Sequence, residues 1–123
     1  MGRPVGWILD EASRSKLLER FPPKHDDVIA HHVTLWGRDF SKPLPPPVTF
    51  AVVGHSDDGR GIEALVVTVN GDTARPDGSV YHVTWSIDPA SGLSAKHSNN
   101  LIAEAGWEPL EAPITFEAEP GAL

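Results

Sequence analysis

Two short stretches of the chain share one alternation of residue types, His-Val-Thr followed by an apolar residue. HVTL begins at His32, and HVTW begins at His82. One imidazole can accept a proton near neutral pH while a second, held as the cation, donates one. Threonine hydroxyls can donate hydrogen bonds to oxygens on which negative charge develops. Two such pairs that face each other would suit cleavage of a phosphodiester without a metal ion.

A β-strand would bring each histidine and its threonine to the same side. Residues i and i+2 of a strand lie on one face, about 6.6 Å apart, so His32 with Thr34 and His82 with Thr84 could both reach a small anion. Threonine and valine are also common in strands of any function, and either tetrad alone is typical of a half-exposed strand. The residues by themselves leave that structural alternative open.

The first motif lies in VIAHHVTLW, which alternates like one strand over Val28–Trp36. His32, Thr34 and Trp36 fall on one face of this strand. His31 falls on the opposite face, where we expect a buried ring hydrogen-bonded to the backbone or to a carboxylate.

The second motif lies in a strand predicted over Val80–Ile87. His82 and Thr84 again share a face, and Trp85 falls on the apolar face. We therefore expect Trp85 to pack in the core. For Trp36, on the face of His32, packing against the protein and stacking on a base of the substrate remain equally open.

The other elements predict an α+β domain with a largely antiparallel sheet and a few short helices. Apolar runs, capping residues and turn residues set the element bounds. The predicted elements are a strand over Val5–Leu9, a helix over Glu11–Arg20 capped by Asp10, a hairpin of Val48–Gly54 and Ile62–Asn70, a short helix ending near Gly106, and an edge strand over Ile114–Ala118.

Composition limits the classes of function. The 123 residues suit one domain over 1–123, and 10 basic against 17 acidic residues give a net charge of −7, which argues against nonspecific binding of long nucleic acid. The absence of cysteine excludes disulfides, thiolate-bound zinc and a cysteine nucleophile. No run approaches the ~20 apolar residues that cross a bilayer, so we expect a cytoplasmic protein without membrane contact.

The paired motifs resemble those of the 2H phosphoesterase superfamily, whose two motifs lie on neighbouring strands of two pseudo-symmetric lobes around a central cleft. Two longer stretches, GWILDEASRSKLLERFPPKHDDVIAHHVTLWGRD and YHVTWSIDPASGLSAKHSNNLI, look like the subgroup of tRNA-ligase cyclic phosphodiesterase domains and related RNA-repair proteins. In that subgroup a glycine and a Ser-Asn pair follow the second motif, and here these would be Gly92, Ser98 and Asn99. The resemblance runs from Val5 to about Trp107, although the two motifs lie closer together than in many larger members.

The resemblance implies a compact two-lobed fold and hydrolysis of a 2′,3′-cyclic phosphate, on an RNA end or a nucleotide, to a monoester. By analogy with the tRNA-ligase group, the product would be a 2′-phosphate, His82 the base and His32 the acid. The chain carries neither a ligase nor a kinase domain, so a partner of either kind would be encoded separately. No cofactor or metal is implied. The implied catalytic residues are His32, Thr34, His82 and Thr84, and the candidate substrate-binding residues are Trp36, Lys96, Ser98 and Asn99.

Two other functions stay open at this point. One is a noncatalytic module that binds a nucleotide or an RNA end in the same cleft. The other is a metal-dependent β protein, although the remaining histidines show no His-x3-His spacing and no cysteine accompanies them. Those histidines are His25, His31, His55 and His97.

Overall fold

A computed structural model of the chain describes residues 5–36, 45–59, 61–76, 78–92 and 98–122. The described residues form an α+β fold, as predicted. In chain order its elements are β1 (Val5–Leu9), α1 (Glu11–Arg20), β2 (Asp27–Val28), β3 (His32–Trp36), β4 (Phe50–Asp57), β5 (Ile62–Val69), β6 (His82–Ile87), a 3₁₀ turn (Pro89–Ser91), α2 (Ser98–Ala105), β7 (Glu108–Phe116) and β8 (Ala118–Ala122).

The strands form two sheets. One sheet has three strands in the order β3-β1-β8, and the other has five in the order β2-β6-β5-β4-β7. Every pairing between these strands is antiparallel. The predicted antiparallel character is confirmed, and the two motif strands, β3 and β6, belong to different sheets.

The main core is built from residues of both sheets. Trp7 and Val33 from the smaller sheet pack with Leu65, Val83 and Trp85 from the larger one, each at most 2% exposed. A second apolar cluster joins β5 and β6 to α2. Burial of these apolar side chains stabilises the packing of sheet on sheet and of α2 on the larger sheet.

Helix α1 covers the predicted residues. Asp10 has extended backbone angles, and its carboxylate accepts a hydrogen bond from the Ser13 N–H at 2.7 Å. This bond satisfies one of the unpaired donors at the helix start and holds the pKa of Asp10 below its ordinary value. Leu17 is fully buried in the main core, and Leu18 packs against that core. The helix α1 therefore packs on the sheets through its leucines.

The strand predicted over Val28–Trp36 is wrong as a continuous element. The chain breaks at Ala30, whose φ is +43°, and only β2 and β3 on either side are extended. A left-handed alanine costs about 1–2 kcal/mol, and the surrounding contacts must offset that cost. The turn takes the chain from the larger sheet, where β2 pairs with β6, to the smaller sheet, where β3 pairs with β1.

The other bounds differ at element ends. Strand β4 extends to Asp57, so the turn of the first hairpin is shorter than predicted, and the second motif strand starts at His82. The predicted last strand is part of the longer β7, which lies at the edge of the larger sheet, and β8 follows it as an edge strand of the smaller sheet. Neither helix in the described ranges is long and apolar enough to span a membrane.

Candidate active site

The first motif is held by the central strand of the smaller sheet. Ile8 pairs with His32, and Gly6 pairs with Thr34. Val33 is fully buried in the core, so His32 and Thr34 point to the other side of β3, where both are partly exposed. A Cβ atom at Gly6 would collide with the Val33 carbonyl oxygen. Glycine is therefore needed at that position for β1 to approach the motif strand.

The second motif is held in the same way by the larger sheet. His82 pairs with Val66 on β5, and Thr84 pairs with Ala64. The intervening Val83 is fully buried in the main core. His82 is partly exposed and Thr84 is 8% exposed, so the two-residue alternation predicted for this motif is present on β6.

Backbone hydrogen bonds tie the two motifs together across the sheets. The N–H of Ala30 donates to the carbonyl of Thr84 at 3.0 Å, and the N–H of Ile29 donates to the carbonyl of Trp85 at 3.0 Å. Ala30, which bonds to the backbone of the second motif, therefore precedes His32 by only two residues. The structure brings β3 and β6 into contact, as the paired motifs require.

The His32 ring is electrostatically coupled to its neighbours. Burial, followed by electrostatic repulsion from the neighbouring His31 and His82 rings when they are protonated, lowers the pKa of His32 from 6.5 to about 4. Both effects penalise the cationic ring, because neither low-dielectric surroundings nor a second cation favours charge there. Near neutral pH the protein therefore holds His32 in the uncharged form, with one nitrogen as donor and the other as acceptor.

The tautomer of neutral His82 follows from its backbone contact. Its Nδ1 lies 2.9 Å from the Val80 carbonyl oxygen. Since a carbonyl only accepts hydrogen bonds, Nδ1 must carry a proton, and in the neutral ring Nε2 then carries the lone pair. An imidazole fixed in this way is suited to accept a proton at Nε2.

His31 does not lie where the sequence predicts. It is exposed rather than buried, and its Nδ1 lies 3.0 Å from Nδ1 of His32, with the two ring planes at 81°. The break at Ala30 removes His31 from the regular strand alternation, so its ring turns toward its neighbour instead of the opposite face. Strand periodicity could not reveal this contact.

Thr84 has a buried partner in α2. Its hydroxyl lies 2.8 Å from the hydroxyl of Ser98, which is fully buried. Ser98, a candidate substrate-binding residue in the sequence, thus contacts the other elements of the site through Thr84. This contact can orient the Thr84 hydroxyl.

The other candidate substrate-binding residues are less fully described. Trp36 is partly exposed at the end of β3, two residues beyond Thr34. Lys96 lies outside the described residues, as does the side chain of Asn99. Trp85 is fully buried, and its indole N–H donates to the Phe21 carbonyl at 2.8 Å, which confirms the predicted core position.

Arg75 is a buried cation near the first motif that no sequence pattern indicated. It is 5% exposed, and its guanidinium donates to the carbonyl of Leu35 on the motif strand β3 at 3.4 Å. The surrounding sequence, NGDTARPDGS, is rich in turn residues, which predict an exposed loop and give no sign that Arg75 is buried. Arg75 supports the end of β3 beyond Thr34.

The remaining described histidines take part in a separate polar cluster. His55 Nε2 lies 2.7 Å from Oε2 of Glu63, which is 1% exposed. Burial alone would raise the pKa of Glu63, but hydrogen bonds from His55, Ser86 and the Lys24 N–H hold it below its ordinary value. This cluster ties the segment after α1 to β4, β5 and β6, which is a structural role.

A candidate cation site adjoins that cluster. Ligand atoms of His25, Asp57 and Asp58 lie within 4.8 Å of one another. Both carboxylates already accept backbone N–H bonds in the β4–β5 turn, from Gly59 and from Gly61. Capping of the turn explains the acidic pair, and His97 lies outside the described residues.

One cavity formed by the described residues lies away from the motifs. It has a volume of about 480 Å³ and is lined by the start of α1 and by β7, including Asp10 and Lys16. Asp10 caps the helix, and Lys16 donates to the Thr115 carbonyl at 2.7 Å. Its polar groups are used by the fold, so the paired histidines are the stronger candidate for chemistry.

Comparison of the chain with protein-family models, with curated proteins and with solved structures found no match. Function must therefore be inferred from the side chains of the two motifs and their neighbours.

Proposed function

We propose that this protein is a metal-independent phosphodiesterase of the 2H type that opens a 2′,3′-cyclic phosphate, on an RNA end or a nucleotide, to a phosphomonoester. The observation that carries the proposal is that His32 and His82 lie on two contacting strands of different sheets, close enough for His82 to affect the pKa of His32. The tautomer of neutral His82 and the lowered pKa of His32 support different proton-transfer roles for the two rings. The two sheets would form the two lobes, with the cleft between the motifs.

In the proposed reaction, His82 accepts a proton at Nε2 from the attacking water. The water oxygen bonds to phosphorus, and the bond between phosphorus and one ribose oxygen breaks. His32 gives its Nε2 proton to that departing oxygen and takes up a proton at Nδ1, so that its ring stays neutral. This assignment matches the direction implied by the tRNA-ligase resemblance, in which the 2′-phosphate remains.

The threonines would stabilise the charge that develops on the nonbridging oxygens. We assign the donor role in the Ser98–Thr84 contact to the Ser98 hydroxyl. The Thr84 hydroxyl then accepts from Ser98 and is able to donate its own proton to the phosphate. Thr34 holds the corresponding position on β3. Such donors are preorganised, because strand pairing fixes both threonines before substrate arrives.

The decisive experiment incubates the protein with each of the four nucleoside 2′,3′-cyclic phosphates in EDTA and follows the products by phosphorus NMR. Wild type should form one monoester isomer, and His32→Ala and His82→Ala should each lower turnover by about 10²- to 10⁴-fold. His25→Asn serves as the matched histidine control, since His25 contacts Asp57 in the separate polar cluster. Circular dichroism checks that all variants fold.

Wild-type turnover in both alanine variants would refute the two-histidine mechanism, and loss of wild-type turnover in EDTA would refute metal independence. Saturable shifts with all four nucleotides but no product would instead favour the noncatalytic binding module.

A further inference from the structure

The Nδ1–Nδ1 contact between His31 and His32 requires that one ring donate and the other accept. The separation of 3.0 Å is a normal hydrogen-bond length. If neutral His32 is the donor, its Nε2 has no proton to give. If His31 is the donor, neutral His32 carries its proton on Nε2. The direction of this one hydrogen bond therefore decides whether His32 can act as an acid in its uncharged form.

The two rings differ in their ability to carry charge. His31 is exposed to water, whereas burial and the neighbouring imidazoles lower the pKa of His32 to about 4. The groups that act on His32 are His31 on its own segment and His82 on β6. The Arg75 guanidinium lies further along β3, where it donates to the Leu35 carbonyl. Burial and the two neighbouring imidazoles oppose a positive charge on His32, whereas water can solvate a charge on the exposed His31 ring.

We propose that the acid is a pair of histidines, in which His31 donates its Nδ1 proton to Nδ1 of His32 and thereby keeps the reactive Nε2 proton of His32 in place. This inference rests on the proposed function. A neutral His32 that lost its only proton would become an anion. In the proposed pair, His31 carries both ring protons when the reaction starts, and its Nδ1 proton passes to His32 as the Nε2 proton of His32 leaves.

The protons balance through one turnover. Before the reaction, His31 holds two ring protons, while His32 and His82 hold one each. Water gives one proton to His82, His32 gives one to the ribose oxygen, and His31 passes one to His32. Afterwards His82 holds two protons and the others one each. Loss of the added proton from His82 to solvent, uptake of one at Nε2 of His32 and return of the Nδ1 proton to His31 restore the starting state.

The first test reads the hydrogen bond without using activity. Long-range proton–nitrogen NMR of ¹⁵N-histidine protein at pH 7 distinguishes a protonated from an unprotonated ring nitrogen. Wild type should show neutral His32 protonated on Nε2, and His31→Asn should preserve this state, because the amide N–H replaces the Nδ1 donor. His31→Phe, which has no donor, should give a mixture of tautomers. Protonation of wild-type His32 on Nδ1 would overturn the proposal.

The second test separates proton delivery from orientation. The side-chain amide introduced by His31→Asn is a donor that cannot pass on a proton, so kcat/KM at pH 7 should fall about 10- to 100-fold in His31→Asn and His31→Phe alike. Both losses should shrink as the pH approaches 4.5, where His32 itself becomes protonated more often. Wild-type activity of His31→Asn at pH 7, or losses that are equal at all pH values, would overturn proton delivery.

The two proposals fail in different ways. A wild-type protein without turnover would contradict the proposed function, and the tautomer of His32 would still show whether His31 donates to it. Turnover that depends on His32 but not on His31 would leave the two-histidine mechanism intact and overturn the pair.

Discussion

The low pKa of His32 predicts that the free energy of unfolding falls in weak acid. Replacement of this ring should remove the part of that loss that is due to His32. The unfolded chain protonates His32 near its ordinary value of 6.5, and the folded chain does so only near a pKa of about 4. Between these values the unfolded state binds a proton that the folded state does not, so the free energy of unfolding falls as the pH decreases from 6.5 to 4. Above the ordinary pKa the ring is neutral in both states and contributes no slope.

The size of the loss follows from the same two pKa values. A change from 6.5 to about 4 corresponds to a ceiling of about 2.6 kcal/mol at pH 4.5 and about 3.4 kcal/mol below pH 4. His32 is partly exposed, and screening by solvent reduces the expected loss at pH 4.5 to about 1–2 kcal/mol.

The assay is urea unfolding at pH 7, 6, 5 and 4.5 for wild type and His32→Asn, whose amide stays neutral throughout. The difference between their free energies of unfolding isolates the titration of His32 from that of other groups. His31→Asn is the matched control and should keep most of the slope, because burial is the larger cause of the low pKa. Parallel loss of stability in wild type and His32→Asn would refute the argument that the folded protein disfavours charge on His32.

Three further changes test other contacts. Ser98→Ala removes the buried partner of the Thr84 hydroxyl, so kcat/KM should fall about tenfold with little change in KM, and equal kinetics would contradict the orienting role. Glu63→Gln removes a buried carboxylate that accepts hydrogen bonds from Ser86 and the Lys24 N–H, and it should lower the free energy of unfolding by about 1–3 kcal/mol in urea titration, whereas an unchanged midpoint would show that the charge of Glu63 is dispensable. Gly6→Ala places a methyl group against the backbone of β3, and it should lower both the thermal midpoint and turnover; a normal variant would show that β1 can move away.

Local signals predicted the elements around the site well. The helix Glu11–Arg20 was predicted to the residue, because an N-cap and an apolar contact position both mark it. The alternation within each motif was also predicted, since Val33 and Val83 are core residues and their neighbours are less buried. Such patterns depend on residues only a few positions apart.

The parts that the sequence did not predict depend on distant contacts or on unusual backbone angles. Alanine has no preference for positive φ, so nothing in VIAHHVTLW indicates the break at Ala30 or the turn of His31 toward its neighbour. The contact of Ser98 with Thr84 and the cluster around Glu63 join different elements. The strand β7 contains two prolines and lacks clear alternation, which explains its missed start.

The break at Ala30 also has a consequence for how this chain tolerates change. Because residues 29 and 30 bond directly to the backbone of the second motif, the separation of the two catalytic candidates is set by a few adjacent peptide units. Insertions in the β4–β5 turn would lengthen the chain without altering that separation. The loop between β5 and β6 has less freedom, because Arg75 in it bonds to the Leu35 carbonyl of β3. An added residue between Ala30 and His32 that shifted the register of β3 against β1 by one would turn His32 toward the core. Chain length can therefore vary in the β4–β5 turn, whereas it is restricted between Ala30 and His32.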